Sequence, residues 1–302
     1  MGDFTLVAGQ IFNGFSVASL FVLAALGLAL SFGLMRVINM AHGEMLMLGG
    51  YLAYLTLHVI PKPLGILVAM PVAFLGAGLA GAVMEMTVIH RLCSRPLDTL
   101  LATWGVSLIL QQGARDIFGA IGVEVTAPQW LNHSFRIETG ALAGLNLPAT
   151  RIFILLVAVL VLSALAVFMA RSRIGLLVRA VNQDRIMAAA SGINVRQVDL
   201  MVFSLGTGIA GLAGVVLALL GPVTPSVGQS YIVPAFLVVI LGGLGSLVGT
   251  TIASVMAGLF SALIQIFVDV SMAQVLLLVF VIGFIQFRPQ GVVAVRSRSL
   301  EN

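Results

Sequence analysis

From residue 6 to residue 287 the chain is built of long apolar runs, near 6–33, 37–59, 64–90, 97–121, 151–170, 199–221, 231–248, 250–268 and 272–287. About 20 residues at ~1.5 Å each carry a helix across the ~30 Å hydrocarbon core of a bilayer. Most of the runs reach that length. Backbone N–H and C=O groups have no water to bond in lipid, so a span is a helix or belongs to a closed barrel. The runs are continuous and do not alternate with period two, which favours helices. The pattern predicts an all-α polytopic membrane protein. It is a single transmembrane domain over 1–302, a bundle of about eight or nine transmembrane helices.

Composition points the same way. Of 302 residues, 60% are hydrophobic and 9% charged, against roughly 25% charged in a soluble domain. So few charges cannot cover a water-facing surface. The formal net charge of +4 is small. Its carriers are scattered between the runs, as topology signals are, and form no nucleic-acid footprint. The lone cysteine, Cys93, excludes an internal disulfide. No Lys or Arg precedes Arg36, so the charged n-region of a secretory signal peptide is missing and the first run is expected to remain in the mature protein.

Arginines orient the runs. Arg91 and Arg95 follow the third run, Arg171, Arg173, Arg179, Arg185 and Arg196 fill the gap after the fifth, and Arg288, Arg296 and Arg298 lie in the basic tail, 288–302. An even number of spans between clusters puts all three in the cytoplasm. With nine spans the N-terminus is periplasmic and the C-terminus cytoplasmic. If the 37–59 run dips in and returns, eight spans remain and the N-terminus moves inside. Residues 122–149 then form an outer loop with Glu124, Trp130, His133, Arg136 and Glu138, and residues 171–198 an inner one. Small residues four apart, Ala77 and Gly81, then Gly206, Ala210 and Gly214, suit close helix packing. The glycine-rich Leu241–Thr250 stretch suits a tight turn or a helix break.

Catalytic signatures are missing. Lys62 is the only lysine and sits in P-K-P, so no G-x-x-x-x-G-K-[ST] loop exists to hydrolyse ATP. No cysteine–histidine metal spacing and no G-x-S-x-G elbow occurs. Nothing assembles an enzyme.

Two sets of polar residues stand inside apolar runs. In Asn39–Tyr51, "NMAHGEMLMLGGY", His42 and Glu44 lie about 200° apart on a helix, whereas Glu44 and Tyr51 share a face. Gly43, Gly49 and Gly50 weaken a helix. A broken or kinked helix near 37–59 is expected, with Asn39, His42 and Glu44 on a water-filled path. Pairing of Glu44 with Arg36 at the inner surface is the alternative. In the fourth run Thr103, Ser107 and Gln111 recur every four residues, on one face, with Gln112 beside them. They line a path or act as glue between helices.

The inner loop suits a helix over 176–190, with Leu176, Leu177, Ala180, Ile186, Met187 and Ala190 available for an apolar stripe, and a turn at Gly192. Such a lever at the membrane surface can receive a partner, or lie alone as an interfacial helix.

Ala188-x-x-x-Gly192 resembles the core of the cytoplasmic loop by which ABC importer permeases dock on their ATPase subunits, except that Ile186 stands where that loop has glutamate. The stretch Arg179–Ile193 is similar instead to the branched-chain amino acid permease group, "RAxxQDRxMAxxxGI", as is "VINMAHGEMLMLGGY". Leu97–Gln112 and Gly228–Thr250 resemble the urea permease subfamily, the UrtB type. The likeness spans about residues 20 to 291. It implies an inner-membrane importer subunit translocating urea or short amides, with branched-chain amino acids as the alternative substrate. It implies two ATP-binding cassette subunits, a second homologous permease and a periplasmic substrate-binding protein. No cofactor is expected in this chain, since ATP is bound by the separate subunits. Arg179, Asp184, Arg185, Ala188 and Gly192 would couple to the ATPase. Thr103, Ser107, Gln111 and Gln112 can exchange hydrogen bonds with neutral urea, whereas an amino-acid zwitterion wants a positive and a negative partner. A stand-alone channel, a secondary transporter and a membrane enzyme are the readings from other classes.

Overall fold

Each apolar run forms one long helix, and polar breaks with capping residues separate them. The computed structural model describes residues 2–35, 37–60, 62–93, 95–136 and 146–293. Arg36, Glu138, Arg296 and Arg298 lie outside the described residues. The order is α1 (Gly2–Met35), α2 (His42–Val59) and α3 (Lys62–Met84), which continues through a π-helical turn, Glu85–Ile89, into the short α4 (His90–Leu92). Then follow α5 (Pro96–Phe118), a two-stranded hairpin of β1 (Ser134–Arg136) and β2 (Asn146–Pro148), α6 (Ala149–Arg171), α7 (Arg173–Gln183) and α8 (Arg185–Ala190). The chain closes with α9 (Val195–Ala218), α10 (Val227–Gly242), α11 (Leu247–Ile264) and α12 (Val270–Phe287).

Among the described residues six segments are long and apolar enough to cross a membrane: Val7–Met35, Leu64–Leu92, Ala149–Arg171, Val195–Ala218, Leu247–Ile264 and Val270–Phe287. This is fewer than the eight or nine expected. The other three helices fall short for physical reasons. α10 has only 16 residues. α2 and α5 carry the polar residues singled out above, which dilute their apolar content.

α1 and α9 form the centre, and α2, α3, α10 and α11 pack around them, while α5, α6 and α12 are peripheral. Small residues make the close approaches. A Cβ at Gly206 would lie 2.5 Å from the Gly27 carbonyl oxygen, and one at Gly81 or Gly214 would strike Thr207 or Leu46. The Leu241–Thr250 stretch is the turn between α10 and α11, with Gly243 and Gly245 at φ 98° and 83° and Ser246 capping α11.

The expected break lies elsewhere than at the glycines. α2 is continuous through Gly43, Gly49 and Gly50, and the non-helical stretch is 37–41. The glycines serve packing: Gly43 meets Gly228 backbone to backbone, and Gly49 meets Gly211. Residues 37–41 run back along α1. His42 Nε2 lies 3.2 Å from the Ala24 carbonyl, and Ala24 is eleven residues before the end of α1, roughly 16 Å along its axis. α2 therefore starts deep in the bundle. α10 starts beside it, through Gly228.

The inner loop holds two helices where one was expected over 176–190. Asp184 ends α7 and caps α8, its Oδ1 accepting from Ile186 N–H at 2.9 Å and Met187 N–H at 3.0 Å. Gly175, Val178 and Val181 face the bundle, whereas Leu176, Ile186 and Met187 are exposed.

Candidate functional site

The densest buried polar cluster sits where α5 leans on α2. Glu44, in the first turn of α2, is 1% exposed. Its Oε1 accepts from Ser107 Oγ–H at 2.9 Å and from Gln111 Nε2–H at 2.7 Å. Gln111 also donates to Ser107 Oγ at 3.0 Å. One turn nearer the start of α5 the Met40 N–H donates to Thr103 Oγ1 at 3.2 Å. The four-residue spacing along α5 thus brings Thr103, Ser107 and Gln111 onto the one face that meets α2. Leu97, Leu101, Trp104 and Leu108 on its other faces are exposed.

The remaining residues of the two sets diverge. Gln112 is exposed and donates to Asp116 Oδ1, away from the cluster. One residue of helix turns it about 100° from Gln111. His42 faces α1 through Ala24, opposite to Glu44 as their spacing requires. Asn39 accepts from the Ala41 N–H at 3.0 Å and so tethers the approach to α2.

Several buried atoms here have no protein partner: Asn39 Nδ2, His42 Nδ1, Glu44 Oε2 and, two turns along the Glu44 face, Tyr51 OH. Tyr51 stacks on Phe118 with ring centroids 4.2 Å apart. Buried polar groups are nearly always bonded, so the orphaned Glu44 Oε2 and Tyr51 OH, on one face of α2, mark a place for water or a ligand, while His42 Nδ1 lies on the opposite face. The backbone adds to it. α7, α8, α9 and α11 each have a side-chain N-cap, from Ser172, Asp184, Asn194 and Ser246. α2 and α10, which meet at Gly43 and Gly228, have none, and neither do the peripheral α5, α6 and α12. In both first turns backbone carbonyls take part of the N–H groups, those of Asn39 and Ala41 accepting from His42 and Glu44 and those of Thr224 and Ser226 from Val227 and Gln229, and the helix dipoles favour negative charge there.

Among the described residues no group of three or more His, Cys, Asp or Glu is placed to hold a metal ion. The cluster has the parts of a binding site for a small polar molecule: one carboxyl group with a free oxygen, two hydroxyls, an amide and two helix N-termini.

The inner loop forms a second assembly. Arg185, at the start of α8, donates to the Leu34 carbonyl at the end of α1 at 2.9 Å and pairs with Asp199 of α9. Arg179 donates to the Met169 carbonyl of α6. Ala188 is buried. Gly192, at φ 85°, ends α8 in a Schellman motif: the Ile193 N–H donates to Ala188 O at 3.1 Å and the Gly192 N–H to Ala189 O at 3.0 Å. Sequence reasoning singled out neither Asp199 nor Glu85, which is 1% exposed in the π-helical turn. The signal for Glu85 was present, since it is the one carboxylate inside the third apolar run, as Glu44 is in the second.

The profile of the family described as branched-chain amino acid transport system / permease component matches residues 10–285. The high-affinity branched-chain amino acid transport system permease protein BraD of Pseudomonas aeruginosa is 29% identical over 263 residues, 84% of each chain. The permease proteins named LivH from Salmonella typhimurium and Escherichia coli are each 28% identical over 302 residues, 94% of each chain. No solved structure matches the chain significantly. These relatives are named for branched-chain amino acid transport, and the resemblance of 97–112 and 228–250 to urea permeases finds no support in them.

Proposed function

The chain belongs to the branched-chain amino acid transport permease family, and from that premise we propose that it is a membrane-spanning subunit of an ATP-driven importer that passes branched-chain amino acids across the inner membrane. One of two ATPase subunits docks on α7 and α8, a second homologous permease completes the pore, and a periplasmic binding protein delivers substrate to the hairpin end. All nine long helices cross, with the N-terminus outside and the C-terminus inside; α2 and α10 begin at depth, where lined cavities tolerate irregular backbone.

The observation that supports the substrate is the carboxyl oxygen of Glu44 that has no protein partner, close to the positive dipole ends of α2 and α10 where they meet at Gly43 and Gly228. A zwitterion has an ammonium for the first and a carboxylate for the second. Urea, being neutral, needs neither. Ser107 and Gln111 hold the Glu44 carboxyl in place, Thr103 holds the backbone of residue 40, and Tyr51 marks the way from the hairpin end. The exposed Ile186 and Met187 of α8 supply apolar contact to the ATPase.

The test is the full complex in vesicles with its binding protein. ATP-dependent leucine uptake that excess urea leaves unchanged is expected. Urea uptake without leucine uptake returns the substrate to urea, and uptake that persists without the ATPases makes the chain a channel. Reporters fused at residues 140 and 190 are expected to report periplasm and cytoplasm; the same side for both breaks the orientation.

A further inference from the structure

A groove on the outside of the bundle is apolar along its walls and basic at one end. It lies between α3, α9 and the junction of α6 with α7, and has a volume of about 410 Å³. Phe74, Gly78 and Ala82 of α3, Met169 of α6, Ile174 of α7 and Leu205 of α9 line it. Gly78 and Ala82, one turn apart, form a depression beside the larger Leu75 and Leu79, which are exposed. From Phe74 to Ala82 the groove follows α3 for roughly 12 Å. The one side-chain hydroxyl in the wall, Ser204, already donates to the Gly78 carbonyl at 2.8 Å.

The turn from α6 to α7 builds the basic end. The Ser172 N–H donates to the Phe168 carbonyl at 3.0 Å, and Ser172 Oγ accepts from the Gly175 N–H at 2.9 Å. A Cβ at Gly175 would strike the Met169 backbone. The turn is thus folded onto Phe168 and Met169, which line the end of the groove. It carries Arg171 and Arg173, both exposed. Arg179, further along α7, reaches back and donates to the Met169 carbonyl. Among the described residues the ion pairs join Arg95 to Asp98 and Arg185 to Asp199, and none includes these three arginines. The first turn of α7 holds Arg173 and no acid, so its charge adds to the positive end of the helix dipole where an acid would offset it.

We propose that this groove holds one anionic phospholipid, an acyl chain lying between α3 and α9 and the phosphate on Arg171, Arg173 and Arg179. The walls match a hydrocarbon chain, and the arginines lack the negative charge that a phosphate supplies. Basic pockets between spans at the cytoplasmic surface recognise such headgroups. A second permease fits this end of the face less well, since its own inner-surface arginines would meet these. Bound there, the lipid braces the start of α7 against α3 and α9. The site shares no residue with the Glu44 cluster, so it stands whichever substrate the chain passes; it rests on α7 and α8 being the inner loop.

The experiment follows thermal unfolding of the full chain, purified with its partner subunits in detergent, as dioleoylphosphatidylglycerol is added. Dioleoylphosphatidylcholine, which has no net charge, and glycerol 3-phosphate, which has no acyl chains, are the controls. Phosphatidylglycerol should raise the unfolding temperature saturably, and neither control should. The double variant Arg171→Gln with Arg173→Gln should raise the half-saturating concentration about 10- to 30-fold and retain one phosphatidylglycerol fewer by native mass spectrometry. Ala82→Phe, which fills the groove, should abolish the shift; if it does not assemble, the arginine variant, on an exposed turn, decides. An equal shift with phosphatidylcholine, a full shift with glycerol 3-phosphate, or an unchanged response in the arginine variant overturns the proposal. So does Leu79→Cys, in a Cys93→Ser background, cross-linking to the second permease in membranes, since a protein would then occupy the groove. Absence of ATP-driven leucine uptake would overturn the importer reading and leave this lipid site standing.

Discussion

Glu44 and Asp199 are both buried acids in apolar helices, and their partners differ in kind. Glu44 is held by a hydroxyl and an amide, both neutral. Asp199 is held by a guanidinium. Neutral donors hold a carboxyl group without supplying a counter-charge, so at Glu44 the place of the cation is left to the substrate of the proposed function. The cation at Asp199 cancels the charge and joins helices instead. The first arrangement suits a group that must capture something and let it go, the second a linkage between moving parts. Their places in the fold match: Glu44 lies beside helix ends that begin at depth, Asp199 under the loop that carries α7 and α8.

The comparison is broken or sharpened by substitution. The largest effect is expected at Glu44. Glu44→Gln keeps hydrogen-bonding capacity and removes the charge, and a hydrogen bond to a charged group contributes about 1.5–3 kcal/mol. Leucine uptake efficiency should fall about 10- to 100-fold, measured as initial rates in vesicles, with assembly and basal ATP hydrolysis unchanged. Uptake at the unmodified rate would place Glu44 with the packing residues. A smaller loss is expected at Gly192. No atom lies near a Cβ built there, so the strain is of the backbone alone: φ is 85°, and a β-branched residue in that region costs about 1–2 kcal/mol. Gly192→Val should weaken ATPase docking and lower ATP-driven uptake about tenfold, while Gly192→Asn is tolerated. Equal uptake by both variants would remove the α8 turn from coupling. The smallest effect belongs to Gln112, which faces away from the cluster. Gln112→Ala should change leucine uptake less than about twofold, and a larger loss would extend the path beyond the α2–α5 seam.

Much of this was legible in the sequence, for reasons that explain what was not. Length and continuity of the apolar runs located the long helices among the described residues, because lipid demands continuous apolar runs, though three of those helices fall short of a clear crossing. The face formed by Thr103, Ser107 and Gln111 followed from helical spacing alone. Their partner did not, since no local rule says that α5 meets α2 at Glu44. Gly43, Gly49 and Gly50 suggested a broken helix because helix propensity disfavours glycine. Tertiary packing decided otherwise, and the chain departs from the helix earlier, at 37–41, where Asn39 tethers it. The split at Asp184 could have been found, since an Asp before "RIMAAA" is an N-cap signal. The pairing of Arg185 with Asp199 could not, as fourteen residues and a Schellman turn separate them.

The central claim is that Glu44 receives the ammonium of an amino acid, and binding to the permease complex without its binding protein tests it most directly. Labelled leucine should bind saturably to the complete permease–ATPase complex in detergent. Excess isoleucine should displace it, and 4-methylpentanoate, which lacks the ammonium, should not. In Glu44→Gln the binding should be lost while Gln112→Ala retains it. Leucine binding that survives Glu44→Gln undiminished, or that 4-methylpentanoate displaces as well as isoleucine does, would contradict the assignment.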